Sequence, residues 1–363
     1  VRCLNVPVPF RVIDTGLRDG RANIAFDAAL IDLHSAGMTP DTIRFLQFRP
    51  TALVGRHQAI SRELNLAQCH ADDVGLARRM TGGGAIYFDE GMLGWELVLS
   101  RRRLELPSLA EYTRTICESA AEGLSRAFGI NARFRPRNDI EVEGQKLSGT
   151  GGFFDGDTLF FQGTVLIDAD PVRVMSYLNV PRSKIERHAL DRPESRITSL
   201  TALTGKRPGA DAVKQAIADG LSRGLGLELT SDRPSPIEEE RAAILHADEI
   251  GRDNFVFEID DPNDKHHREG SVTGAGGTVT AFIRTTAEPG IPRIAHALVT
   301  GDFFVTPPRL VLDLEATLRG VPVVESGAAV TAFFEHVRFD LLSATPDDFR
   351  MAVERAIEGW TKQ

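Results

Sequence analysis

The apolar positions of this chain change period repeatedly before residue 230, and each change predicts an element. Arg11–Asp14 reads as a short strand. Ile24, Ala28, Ile31 and Leu33 then recur at helical spacing, with Asn23 placed to cap that helix and Gly37 to stop it. Ile43, Phe45 and Leu46, followed by Thr51–Gly55, predict two buried strands. The clearest helix opens at Ser108. Leu109, Tyr112, Ile116, Ala120 and Leu124 share one face, Ser108 and Glu111 have the spacing of a capping box, and Gly129 ends the run. Ile140–Val142 alternates, turns at Glu143-Gly144 and returns through Lys146 and Leu147 as a hairpin. Thr158–Asp168 predicts a strand and Ala210–Gly224 a helix carrying Val213, Ile217 and Leu221.

After residue 230 the pattern breaks. Thr230-Ser231-Asp232-Arg233-Pro234-Ser235-Pro236 is polar and doubly proline-bearing, which is linker chemistry. Beyond it, Thr278–Arg284 and Ala295–Val305 predict strands and Pro308–Arg319 a helix. The last helix opens at Thr345 with proline in its first turn. The expected organisation is a catalytic domain over 1–233 and a smaller one over 237–363. Strands mixed with helices in both halves predict an α+β (α/β mixed) architecture.

Composition narrows the classes. Of the 363 residues, 42% are hydrophobic and 26% charged, as in ordinary globular chains. No apolar run approaches the roughly 20 residues of a membrane span, and Val1–Phe10 does not read as a signal peptide. Three cysteines, Cys3, Cys69 and Cys117, suit a reducing compartment, so a cytoplasmic protein is expected. The formal charge of −9 argues against broad nucleic-acid binding.

Two segments carry the candidate chemistry. Arg78-Arg79-Met80-Thr81-Gly82-Gly83-Gly84-Ala85-Ile86-Tyr87 places three glycines, whose backbone N–H groups can cradle an anion, directly after two arginines. An apolar strand follows, so the segment suits an acid with an apolar tail together with a nucleotide phosphate. The second segment runs Asn138-Asp139-Ile140-Glu141-Val142-Glu143-Gly144-Gln145-Lys146-Leu147-Ser148-Gly149.

In this order the two segments resemble the lipoate–protein ligase family of the biotin/lipoate ligase superfamily. The resemblance extends through Gln162-Gly163-Thr164 and Ser195–Leu200 and covers residues 11 to 230. Gly276–Ala281 and Thr300–Pro308 are similar to the C-terminal accessory domain of two-domain members. The resemblance implies the family's fold and a two-step reaction in which ATP and lipoate or octanoate give an acyl-adenylate, which then acylates an acceptor lysine. It makes Lys146 the catalytic lysine. It assigns the nucleotide and acyl-adenylate to Arg79, Thr81, Gly82, Gly83, Gly84, Ala85, Ile86, Tyr87, Asp139, Lys146 and Ser148, with Asp139 also a candidate Mg2+ ligand. The acceptor it implies is a lipoyl domain or a glycine-cleavage H-type protein.

Phe88 and Gln162 stand where the family commonly has histidine, which bears on the tail pocket. Octanoyltransferases of the same fold act without ATP, some through a cysteine, and form the alternative, beside a non-catalytic acyl-binding homologue. No cysteine lies near Asn138–Lys146. The adjacent His266 and His267 have no further ligands nearby in sequence and read as loop.

Overall fold

The computed structural model describes residues 10–179, 196–262, 265–274, 277–286, 291–342 and 344–358. Cys3, Ser195 and Gly276 lie outside the described residues. The first strands are β1 (Phe10–Arg18), β2 (Thr42–Phe48), β3 (Thr51–Val54), β4 (Gly75–Arg78), β5 (Ile86–Phe88) and β6 (Met92–Ser100). They are followed by β7 (Ala132–Arg135), β8 (Asp139–Val142), β9 (Gln145–Asp155), β10 (Thr158–Leu166) and β11 (Leu229–Ser231). Eight of them form one mixed sheet in the order β11-β1-β2-β6-β10-β9-β8-β7, and β4-β3-β5 form a small second sheet.

Alternation along the strands decides what each face of the large sheet meets. Ile43 and Phe45 of β2 and Leu93, Trp95, Leu97 and Leu99 of β6 pack against the helices Leu109–Phe128 and Ala210–Leu225. The opposite face carries Ile13, Val98 and Phe160, covered by Phe26 and Leu30 of the helix Gly20–Ser35 and by Ala242. A third core, beginning at Val272, joins the antiparallel sheet β12 (Arg268–Gly274), β13 (Gly277–Thr285) and β14 (Ile294–Gly301) to three later helices. The mixed α and β architecture expected from the sequence is the one observed.

Several boundaries differ for identifiable reasons. The first helix is capped by Asp19, whose carboxylate accepts from the N–H groups of Arg21 and Ala22. Asn23 lies inside that helix, fully buried, and donates to the Gln47 carbonyl at 2.9 Å. At Ser108 only half of the capping box forms. Its hydroxyl accepts from the Glu111 N–H, while the Glu111 carboxylate turns to Arg114 at 2.7 Å. The strand expected over Ala295–Val305 stops at Gly301, and Val305–Thr306 pairs elsewhere with Asp340–Leu341.

The linker-like stretch is structured. Leu229–Ser231 pairs parallel with β1, and Ser235 caps the helix Pro236–Leu245 in a full capping box with Glu238. Glu238 is completely buried and holds the Arg11 guanidinium. Ile250, Phe255 and Val256 then enter the core around the small sheet.

Candidate active site

Between the large sheet, the glycine loop and the third core lies a cavity of about 570 Å³. Its floor follows from strand register. Arg44, Glu96, Gln162 and Gly151 are consecutive cross-strand partners on β2, β6, β10 and β9 and form one row on one face of the sheet. Two residues further along, Leu46 stands opposite Gly94, which stands opposite Thr164, whose hydroxyl accepts from the Gly149 N–H. Beyond these lie Phe48, Met92 and Leu166. Leu53, Phe88, Val174 and Leu178 complete an apolar end, with Phe88 stacked on Phe48 at 4.5 Å.

Lys146 sits at the opposite edge of this floor. A register shift in the β8–β9 pair sets Lys146 opposite Glu141 and Ser148 opposite Ile140, leaving Leu147 as the extra residue. Leu147 is buried in the core, while the Lys146 side chain remains about one-third exposed, over Gly149. Its Nζ pairs with Asp139 Oδ1 at 2.8 Å, and the other Asp139 oxygen pairs with Arg135 at 2.6 Å. Burial raises the Asp139 pKa, but the two cations outweigh it and the net shift is downward.

The glycine loop closes over the floor. Arg79 is buried. Its Nη2 donates to the carbonyls of Gly82 and Gly84 at 2.7 and 2.8 Å and its Nε to the Thr81 hydroxyl at 3.2 Å. Its Nη1 is buried without a hydrogen-bond partner in the protein. Burial pulls its pKa to about 10, so the group is still cationic near neutral pH. Gln162 donates to Thr81 Oγ1 at 2.9 Å, tying the loop to the floor.

A segment of the third core reaches the same loop. The Gly83 N–H donates to the Phe303 carbonyl at 3.2 Å, and a side chain at Gly82 would collide with that carbonyl. The Phe304 ring lies between Gly83 and Gly151, where a Cβ on Gly83 would come within 2.6 Å of it. The glycines of this loop therefore permit close docking of Phe303-Phe304 as well as approach by a ligand.

Arg79, Thr81, Gly82, Gly83, Gly84, Ala85, Ile86, Tyr87, Asp139 and Lys146 all line the cavity. Ser148 does not, being fully buried on the strand opposite Ile140. Arg78, expected beside the anion cradle, is also absent from the lining. Its guanidinium donates to the carbonyls of Gly55, Arg56 and Gln58 on one side and of Phe255, Val256 and Ile259 on the other. It is a structural clamp. Sequence reasoning missed Asp27, Glu96 and Phe304, which line the cavity, and Arg44, which is fully buried against the two carboxyls. A charged residue inside an apolar strand run, Arg44 between Ile43 and Phe45 or Glu96 between Trp95 and Leu97, was the available signal.

Among the described residues no group of three His, Cys, Asp or Glu is placed to hold a metal. Cys69 and Cys117 are buried, and burial raises their thiols to about 11 and about 12. Neither lines the cavity.

The chain is 25% identical over 273 residues to an octanoyltransferase LipM of Halalkalibacterium halodurans, covering 68% of this chain and 98% of that protein. It is 31% identical over 179 residues to the "Probable lipoate-protein ligase A" of Mycoplasma pneumoniae, covering 49% of this chain and 51% of that one. In fold it is similar to a crystal structure of lipoate-protein ligase A bound with ATP, with a TM-score of 0.61, 22% identity and coverage of 69% of this chain and 99% of that one. Residues 19–222 match the family described as the lipoyl protein ligase A/B catalytic domain, and the chain belongs to that family.

Proposed function

We propose that this protein is an ATP-dependent ligase that activates lipoate or octanoate as the acyl-adenylate and transfers the acyl group to a lysine of a lipoyl-type acceptor protein. The observation that carries this reading is Lys146, held by Asp139 at the edge of a cavity whose other end is apolar. An ammonium fixed there can neutralise the acid carboxylate and the α-phosphate as charge develops in the displacement of pyrophosphate. The glycine-loop N–H groups other than that of Gly83, which Phe303 takes, and the unpartnered Arg79 Nη1 supply further donors toward phosphate. The acceptor amine then attacks the mixed anhydride and releases AMP.

Protein-held magnesium fits poorly. Both Asp139 oxygens already pair with cations, the neighbouring Glu141 is taken by Arg133 and Arg135, and among the described residues no group of three possible ligands forms. Mg2+ is expected to enter only as the counter-ion of the nucleotide. We propose that residues 1–233 carry the catalytic chemistry, with the segment 236–256 that follows packed into the same core. The accessory unit, proposed over 237–363, contributes Phe303-Phe304 against the glycine loop and favours the activation step.

The likeness to octanoyltransferases supports a second reading, ATP-free acyl transfer. Buried thiols with raised pKa oppose a cysteine route, because the thiolate is the nucleophile. Replacing Cys3, Cys69 and Cys117 together by alanine should leave ATP-dependent acylation of a lipoyl domain within about threefold, read by intact mass, since an adenylate route uses no thiol and small changes cost little. Acyl transfer from an acyl-carrier protein without ATP, lost in that variant, would establish the second reading instead.

A further inference from the structure

The cavity has an apolar end, and two carboxyls stand beside it. Asp27 and Glu96 line the cavity together with Ile24, Leu46 and Gly94. Both carboxyls are at most 3% exposed and converge on the buried Arg44, whose Nη1 lies 2.5 Å from Asp27 Oδ1 and 3.0 Å from Glu96 Oε2. Arg44 is otherwise used up by the Asn23 amide oxygen, at 2.8 Å, the Asn23 carbonyl and the Thr15 hydroxyl. One cation therefore faces two carboxyls, which hydrogen-bond each other, and Asp27 Oδ2 is buried with no further hydrogen-bond partner. A buried trio of this kind is costly to desolvate and gives no packing that leucines would not give. Burial pushes both carboxyls upward, Glu96 well above the usual carboxylate range.

The register locates the trio relative to Lys146. The Lys146 side chain lies over Gly149, two residues along β9 from the Gly151 that shares the row of Glu96, and β6 is two strands from β9, so about 7 Å along the strand and about 10 Å across give roughly 12 Å. An acid anchored by its carboxylate at Lys146 would bring the far end of a chain of about eight carbons beside the two carboxyls.

We propose that Asp27 and Glu96 are specificity-determining residues which accept a hydrogen bond from a donor, a hydroxyl or an ammonium, near the far end of the acyl chain. The inference rests on the proposed acyl-binding role of this cavity but not on ATP turnover. A donor there satisfies Asp27 Oδ2. An ammonium in addition allows both carboxyls to be ionised beside Arg44.

Calorimetric binding of octanoate, 8-hydroxyoctanoate and 8-aminooctanoate to the full chain, without nucleotide, tests it. At least one of the substituted acids should bind about tenfold more tightly than octanoate, the worth of one buried charged hydrogen bond. In Glu96→Gln and Asp27→Asn, which keep shape and remove charge, the preference for the amino acid over octanoate should fall toward unity. The wild-type ratio is decisive whether or not the variants fold. Octanoate binding as tightly as both substituted acids overturns the proposal while leaving the ligase reading intact. Tenfold selectivity without adenylate formation would instead sink the ligase reading and keep this one. Absence of binding by all three acids overturns both.

Discussion

Lys146 combines partial exposure with a fixed partner. Its exposure lets a ligand reach Nζ, and Asp139 keeps the side chain from roaming. Lys146→Ala should lower the melting temperature only slightly, since little packing is lost and Arg135 still pairs with Asp139. It should lower adenylate formation about a hundredfold, the usual effect of removing one preorganised charge from a site. Pyrophosphate release measures this, and a wild-type rate would show that the lysine is misassigned. Arg78 and Arg79 are neighbours with opposite fates. Arg79 braces the loop carbonyls and keeps one buried N–H free of protein partners, whereas every group of Arg78 goes to backbone carbonyls of two distant segments. Arg78→Ala should destabilise the protein by about 3 kcal/mol or more, because several buried carbonyls would lose their donor. Chemical denaturation reports it, and a change below about 1 kcal/mol would show that water replaces the guanidinium.

Among the elements, the crossing of the helices Leu109–Phe128 and Ala210–Leu225 sets two effects against each other. Gly123 and Gly220 meet there, backbone against backbone, and a Cβ on Gly123 would strike the Ala216 carbonyl. Glycine within a helix costs about 1 kcal/mol relative to alanine, which by itself favours Gly123→Ala. Overpacking a tight crossing costs about 1 to 3 kcal/mol. The collision is with backbone that cannot swing aside, so we expect net destabilisation of about 1 to 2 kcal/mol. A raised melting temperature would show that the helices separate without loss. The same scale explains a boundary that sequence pattern misplaced. Asp19 and Asn23 are both good capping residues, one turn apart, and the apolar stripe begins near Asn23. What draws the helix back to Asp19 is burial of Asn23 against β2, with its amide donating to Gln47.

At the scale of the whole molecule, the third core meets the rest of the protein beside the active site, through His57, Phe303 and Phe304, and also away from it, where Asp340 accepts from the Leu109 N–H and Glu269 pairs with Arg62. His57 is stacked on Phe303 at 5.3 Å, its carbonyl accepts from the Gly301 N–H, and its Nε2 is buried without a partner. Burial, followed by Arg56 and Arg78, lowers its pKa from 6.5 to about 3. The folded protein favours the neutral ring, so stability is full above about pH 6.5. It falls by about 1.4 kcal/mol per pH unit as pH drops toward 3. Melting temperatures between pH 7.5 and 5 should fall less steeply in His57→Phe than in wild type, and equal slopes would remove His57 from the interface account. Truncation gives a second test. A chain ended after Asp232 loses Glu238, the buried carboxylate on Arg11, and part of the partners of Arg78, and with them Val256 and Phe255 from the core. It should not fold to a stable state. A chain ended after Pro262 keeps them and should fold, accept preformed acyl-adenylate and form little of it from ATP. Circular dichroism and single-step acyl transfer separate these outcomes, and a stable shorter fragment would contradict the packing account.

Local rules acting on adjacent residues determined much of this protein by sequence alone. The helix after Ser108, the Lys146 hairpin, the mixed α and β character and the family follow from periodicity, turn chemistry and two motifs, because each depends on residues close in the chain. The tertiary structure alone decided where the doubly proline-bearing stretch belongs. Its polarity satisfies linker statistics, yet Glu238 finds Arg11 across the fold and makes the stretch a seam. It also decided that Arg78 is a clamp, that Phe304 enters the cavity, and that Arg44, Glu96 and Asp27 meet. Those outcomes depend on register and docking between segments far apart in sequence. A charge in an apolar run announces that it needs a partner, but only the assembled sheet supplies one.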